Sequence, residues 1–140
     1  MNTLLENYQN VVGEEVIYEL LQIGKILKGL KVVHINSTKT GGGVAEILAT
    51  MTLLFQSLGI ETQWETITGS PDFFECTKQF HNAIQGKKQK TPDPHLFKVY
   101  KEINAENAER LKPILDEADV VFIHDPQPAA LIQHFPNRKN

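Results

Sequence analysis

The sequence predicts an α/β fold, a Rossmann-like parallel sheet with flanking helices. Short runs of β-branched residues alternate along the chain with longer segments in which apolar residues recur every three or four positions. Strands that alternate with helices pair in parallel, because each helix returns the chain to the same end of the sheet. We expect three strands, whereas a finished sheet of this class has roughly five or more. The chain is therefore expected to be a partial domain or one that is completed by association.

The N-terminal region is predicted to be helical from about residue 4 to residue 28, because leucines and valines recur there at helical spacing. Gly13 is expected to divide this segment into two helices, and Gly29 is expected to end it. The β-branched run "KVVHIN" follows and predicts a buried strand. We therefore separate an N-terminal helical segment, residues 1–30, from a partial Rossmann-like domain, residues 31–140.

The middle of the chain repeats this alternation. An apolar stripe from Val44 to Leu58 predicts a helix that Gly59 ends, and "IETQWETI" alternates as a strand does. The next helix should begin after Ser70, since a serine followed by proline at the first helical position is a favourable N-cap. We expect this helix to run to about Ile84.

The last third of the chain contains one further unit. "KKQKTPDP" predicts a polar loop in which Lys87, Lys88 and Lys90 are solvated rather than part of a binding patch. A long helix is expected over about 93–116, a third strand in "DVVFIHD" and a last helix in "PQPAALIQHF". The polar segment "PNRKN" is expected to be exposed.

Composition narrows the functional classes. The net charge of −3 gives no electrostatic argument for a nucleic acid or an anionic membrane as a partner. Cys76 is the single cysteine, which excludes an internal disulfide and a cysteine-based metal site, and a single thiol is typical of a reducing cytoplasm. We recognise no secretory signal, no apolar run near the roughly 18 residues of a membrane span, and no metal-ligand spacing. We expect a cytoplasmic protein without a bound metal or cofactor.

Three consecutive glycines, Gly41, Gly42 and Gly43, lie between the first predicted strand and the helix that follows it. Because glycine lacks a Cβ, a phosphate or a sugar hydroxyl can approach the free N–H groups and partial positive charge of that helix. Ligands of open parallel sheets bind at this place, beyond the carboxyl ends of the strands. The pattern is neither G-x-G-x-x-G nor a Walker loop. The alternative is a tight turn with close packing of the strand against the helix.

A second polar group ends the third predicted strand. His124 and Asp125 follow its apolar residues directly, and Pro126 and Pro128 enforce a rigid exit from the strand. Polar side chains at a strand tip commonly line a cleft. The alternative is that Asp125 caps the last helix.

The other histidines have simpler interpretations. His81, beside Asn82, lies near the end of its predicted helix, where a charged imidazole would also act as a C-terminal cap. His34, within "VVHIN", is interpreted as a core histidine whose polar atoms are satisfied. His95 and His134 are interpreted as surface residues.

Together these motifs resemble a known family. "HINSTKTGGGVAEIL", "FHNAIQG" and "VVFIHDPQPAALI", in this order, are similar to the N-terminal half of trehalose synthases of the glycosyltransferring kind, and "LLENYQNVVGEE" looks like their N-terminal helix. These enzymes are retaining, nucleotide-sugar-dependent glycosyltransferases of the family that includes glycogen and sucrose synthases. The resemblance implies the GT-B arrangement, two Rossmann-like domains that face a cleft. Residues 31–140 would be an incomplete, acceptor-side N-terminal domain.

The resemblance also implies substrates and residue roles. NDP-glucose would donate glucose to glucose, with retention, to form trehalose. The implied ligand contacts fall into a donor loop, Gly41, Gly42 and Gly43, and an acceptor pocket, His81, Asn82, His124, Asp125 and Gln127. The main catalytic glutamate of the family lies in the donor-binding C-terminal domain, so the catalytic residue stays unassigned and the isolated chain is expected to be inactive. No metal is implied.

Two other interpretations stay open from the residues alone. The chain could be a stand-alone sugar- or phosphate-binding Rossmann-like module that serves a partner. It could also be a structural remnant whose exposed sheet edge drives self-association. The amphipathic N-terminal helices and the unfinished sheet favour a homodimer.

Overall fold

A computed structural model of the chain describes residues 3–88, 91 and 93–138. Within these residues, three parallel strands form one sheet in the order β2-β1-β3. The strands are β1 Lys31–Asn36, β2 Glu61–Thr66 and β3 Val120–Ile123. The helices are α1 Thr3–Val12, α2 Glu14–Leu27, α3 Gly43–Ser57, α4 Pro71–Ile84 and α5 Pro94–Glu117, followed by a 3-10 helix at Ala129–His134. The predicted α/β class with a parallel sheet is confirmed.

The central strand β1 positions both segments that carry candidate residues. Ile35 of β1 pairs with Ile123 of β3, and the His124 N–H donates to the Ile35 carbonyl at 2.9 Å, which extends this ladder by one residue. Asn36, the last residue of β1, is therefore level with His124 on the neighbouring strand. Adjacent strands lie about 4.8 Å apart. The glycine segment and His124 thus leave the same carboxyl edge from neighbouring positions.

Helices cover the two faces of the sheet. Because crossovers between parallel strands are right-handed as a rule, α3 is expected on one face and α4 with α5 on the other. Side chains alternate accordingly: His34 lies against Phe55 of α3, with ring centroids 5.9 Å apart, whereas Val33 and Ile35 belong to the core that includes Leu111 of α5. The largest apolar core lies between the sheet and α5.

The N-terminal helices pack on α3. Gly13, with a φ of 89°, separates α1 from α2, so the predicted break is confirmed. Gly24 of α2 lies so close to the end of α3 that an added Cβ would come within 2.9 Å of the Leu58 carbonyl oxygen. Leu5 and Ile17 are buried in this part of the molecule.

The N-cap predicted at the start of α4 is confirmed. The Ser70 hydroxyl accepts a hydrogen bond from the Phe73 N–H at 3.3 Å, as its predicted N-cap role requires. Lys87 and Lys88 are exposed, and Lys90 lies outside the described residues. No helix within 3–88 or 93–138 combines the length and the apolar character that crossing a bilayer needs.

The C-terminal segment differs from the prediction in three ways. The third strand stops at Ile123, before His124, and the expected last helix is the short 3-10 helix. The predicted exposure of the final polar segment is wrong for Arg138, whose guanidinium donates to the carbonyls of Leu115 and Ala118 and is partly buried. These bonds satisfy carbonyls at the end of α5, which explains why Arg138 folds back.

Candidate functional site

The glycine loop is open. Gly41 and Gly42 have φ values of 75° and 88°, in the region that favours glycine, and Gly42 is the N-cap of α3 without a side-chain cap. A Cβ added at Gly41, Gly42 or Gly43 would meet nothing within 4 Å. The alternative of close strand–helix packing is therefore wrong. The first N–H groups of α3 lack a capping side chain, and the three glycines beside them are exposed.

A buried asparagine holds the first part of this loop. The Asn36 side chain accepts from the Trp64 indole N–H at 2.8 Å and donates to the Thr38 carbonyl at 2.8 Å. The Lys39 ammonium lies 4.5 Å from the centre of the Trp64 ring. Sequence analysis did not single out Asn36. An amide that ends a buried strand just before a glycine loop was the signal available for it.

The second segment, His124–Gln127, has an unusual backbone. Asp125 has a φ of 70° and is the one residue other than glycine with a positive φ among the described residues. Aspartate tolerates this region better than most residues, but such strain is typical of functional sites. The 3-10 helix has Pro128 as its N-cap and no side-chain cap, so the alternative of an Asp125 cap is wrong. Asp125 is exposed at the carboxyl edge of the sheet.

Helix α5 anchors this segment through two buried side chains. The Tyr100 hydroxyl donates to the Pro126 carbonyl at 3.0 Å and accepts from the Ala130 N–H at 3.2 Å. The Asn104 amide donates to the Gln127 main-chain carbonyl at 3.2 Å. Burial raises the pKa of Tyr100, which keeps the hydroxyl protonated for this role.

Two amide oxygens beside this anchor lack donors. Asn104 Oδ1 and Gln127 Oε1 are buried and accept no hydrogen bond from any residue that the structure describes. A buried acceptor without a donor is costly, so a ligand hydroxyl or a water is the expected partner. Sequence analysis missed Asn104, for which an asparagine among the apolar positions of a helix was the available signal.

His34 of β1 forms a pair with His124, the residue that follows β3. His34 Nδ1 lies 3.0 Å from His124 Nε2. Burial, and then the charge on His124, lower the pKa of His34 to about 4. Burial also lowers the pKa of His124, against the opposing effect of Asp125. His34 is buried as predicted, but the expectation that its polar atoms are satisfied is wrong, since no described group pairs with Nε2. His95 and His134 are exposed as predicted.

His81 and Asn82 lie apart from these groups in the bonding pattern. His81 Nε2 pairs with the Gln85 amide at 2.9 Å, and Asn82 Oδ1 accepts from the Lys87 ammonium at 3.5 Å. Among the described residues, no hydrogen bond, ion pair or ring contact joins them to residues 124–127. Their place near the acceptor stays a prediction. Across residues 3–88, 91 and 93–138, no group of three or more His, Cys, Asp or Glu residues could hold a metal ion.

Comparisons with known proteins agree on one family. The family model described as "Trehalose synthase, N-terminal domain" matches residues 34–140. A trehalose synthase of Pyrococcus horikoshii is 42% identical over 134 residues, which cover 96% of this chain and 32% of that protein. A trehalose synthase of Rubrobacter xylanophilus is 40% identical over 94% of the chain and 31% of its own length. A trehalose phosphorylase of Pleurotus pulmonarius is 32% identical over 91% of the chain and 18% of its length. The chain thus spans about a third of the length of the trehalose synthases that it matches.

Proposed function

Because the chain belongs to the family of trehalose synthase N-terminal domains, we propose that it forms the acceptor-side wall of a glycosyltransferase cleft. The observation that carries this proposal is the common sheet edge from which the open glycine loop and the His124–Gln127 segment emerge side by side. In the proposed reaction, glucose passes from NDP-glucose to the anomeric hydroxyl of a second glucose with retention, which gives trehalose. The relatives are named trehalose synthase and trehalose phosphorylase, and these names support a reaction in which trehalose takes part.

The glycine loop would act on the donor. A diphosphate leaving group carries negative charge, and the N-terminal N–H dipoles of α3 would stabilise that charge as the glycosidic bond breaks. The donor could approach the main chain closely, because no side chain occupies the space around Gly41, Gly42 and Gly43. No lysine directly follows the glycines, so the three glycines themselves supply N–H dipoles rather than a cation.

The His124–Gln127 segment would act on the acceptor. The Asp125 carboxylate accepts hydrogen bonds from sugar hydroxyls, and the unpartnered Gln127 Oε1 would accept another. A few directed hydrogen bonds of this kind orient an acceptor hydroxyl toward the reacting carbon. Tyr100 and Asn104 hold the segment in place, which keeps its ligand-binding groups in a fixed arrangement. Neither ligand contact requires a metal or a cofactor.

The proposal assigns the donor nucleotide and the catalytic glutamate to a second domain. The 134 aligned residues cover 32% of the Pyrococcus horikoshii relative. We therefore expect the chain alone to bind the acceptor sugar but not to transfer glucose. Formation of trehalose by the isolated chain from NDP-glucose and glucose would contradict this division of the site.

Binding of glucose and trehalose to the chain, followed by NMR titration, tests the acceptor site. Asp125→Asn preserves the shape of the side chain and the tolerance for a positive φ, and it removes the charge and replaces one accepting oxygen with an NH2 donor. We expect it to weaken glucose binding by tenfold or more. Asp116→Asn, the same change on the exposed C-terminal part of α5, is the matched control and should leave binding unchanged. Equal affinities in the two variants would overturn the acceptor assignment, and binding of phosphate without sugar would favour the phosphate-binding module.

A further inference from the structure

The His34 imidazole is held rigidly against His124. His34 is 1% exposed, and its ring lies parallel to that of Phe122 with centroids 4.9 Å apart. The ring of His124 lies edge to edge with that of His34, with the ring centroids 5.3 Å apart and the ring planes 25° apart. Phe55 of α3 covers His34 from the helical layer. The contact between His34 Nδ1 and His124 Nε2 is therefore a fixed feature of the folded chain.

One hydrogen lies between the two nitrogens. A neutral imidazole carries one N–H, so one ring donates in this contact and the other accepts. If His34 donates from Nδ1, its buried Nε2 keeps a lone pair, and His124 carries its hydrogen on Nδ1. If His124 donates from Nε2, the buried His34 Nε2 carries a hydrogen that no described group accepts.

The first arrangement is favoured because it leaves no buried N–H group of His34 without an acceptor. Buried N–H groups without an acceptor are rare in folded proteins. Burial lowers the pKa of both rings, so both are neutral at pH 7.

We propose that His34 is a positioning residue that fixes His124 as the Nδ1–H tautomer, so that His124 offers an N–H donor beside the Asp125 carboxylate acceptor. A hydroxyl group both donates and accepts, and this pair of groups is complementary to it. The expected ligand is a hydroxyl of the acceptor sugar. The inference rests on the proposed function, because it places His124 in the acceptor pocket.

Long-range 1H–15N correlation spectra of the 15N-histidine-labelled chain at pH 7 test the tautomer directly. In the wild-type chain, His124 should show a protonated Nδ1 and a bare Nε2. In His34→Phe, which preserves a ring but removes the donor, His124 should revert to the Nε2–H form that free imidazole side chains prefer. His34→Asn places an amide donor near the position of Nδ1 and should restore the Nδ1–H form. The exposed rings of His95 and His134 serve as references in every sample.

The outcomes separate this inference from the proposed function. A protonated Nε2 on His124 in the wild-type chain would overturn the inference, as would the same His124 tautomer in the wild type and in His34→Phe. The wild-type spectrum decides the question even if a variant fails to fold. Glucose is then added to the wild-type chain. If the tautomer is as stated but glucose leaves the His124 resonances unchanged, the positioning role holds and the acceptor assignment fails.

Discussion

Two neighbouring glycines should respond in opposite ways to the same substitution. Gly42 has a φ of 88° and a ψ of 152°, a conformation available almost only to glycine, so Gly42→Ala should destabilise the chain by about 1–3 kcal/mol. Gly43 is the first residue of α3, without a positive φ, and an added Cβ meets nothing within 4 Å. Gly43→Ala should therefore stabilise the chain by about 0.4–1 kcal/mol, because alanine restricts the unfolded state. The two variants should differ in unfolding free energy by about 1.5–4 kcal/mol.

Urea unfolding followed by fluorescence measures this difference. Trp64 is the single tryptophan, and its indole donates to Asn36 below the loop, so its emission reports on this region. Circular dichroism on the same samples shows whether the helices unfold in the same transition. A Gly42→Ala chain as stable as the Gly43→Ala chain would refute the argument from backbone conformation.

The same pair of variants also tests the donor role of the loop. If a donor phosphate approaches the main chain, Gly43→Ala should weaken the binding of NDP-glucose to the proposed two-domain enzyme, even though the substitution stabilises the protein. Loss of binding in a stabilised variant cannot be attributed to unfolding. Unchanged binding in Gly43→Ala would contradict a close approach at this residue.

Two further predictions concern packing and pH. Gly24→Ala should destabilise the chain by about 1–3 kcal/mol in urea unfolding, because the added Cβ would lie 2.9 Å from the Leu58 carbonyl oxygen. The loss is expected although alanine favours helices more than glycine does. A variant of equal or greater stability would contradict this packing. The pKa of His34 is lowered from 6.5 to about 4, so protonation favours the unfolded chain, and about 3 kcal/mol of stability should be lost as the pH falls from 6.5 to 4. His34→Phe should flatten that part of the stability–pH curve, and an equally steep loss in this variant would refute the assignment to His34.

Much of the architecture could be predicted from local patterns. The break at Gly13, the N-cap at Ser70 and the order of strands and helices depend on residues close together in the chain, so they are visible in the sequence. The end of the molecule was less predictable. The two prolines after Asp125 support a short 3-10 helix, and Arg138 folds back onto carbonyls of residues about 20 positions earlier.

The candidate site shows a similar division. The open glycine loop and the polar end of the third strand were recognisable, because their residue types are unusual at the ends of buried strands. The anchoring roles of Asn36, Tyr100 and Asn104 were not, since each depends on a partner that another element supplies. A polar residue in an apolar pattern indicates that some partner exists, but not which one.

The sequence by itself determined the alternation of strands and helices, the glycines with their freedom of backbone conformation, and the similarity to one family. Hydrophobic periodicity and turn chemistry act over a few residues, which is why these features can be read without a structure. The tertiary structure alone decided that His34 and His124, 90 residues apart in the chain, share a hydrogen bond and that Asp125 adopts a positive φ. Strand register and burial bring those groups together, and both arise from packing between distant segments.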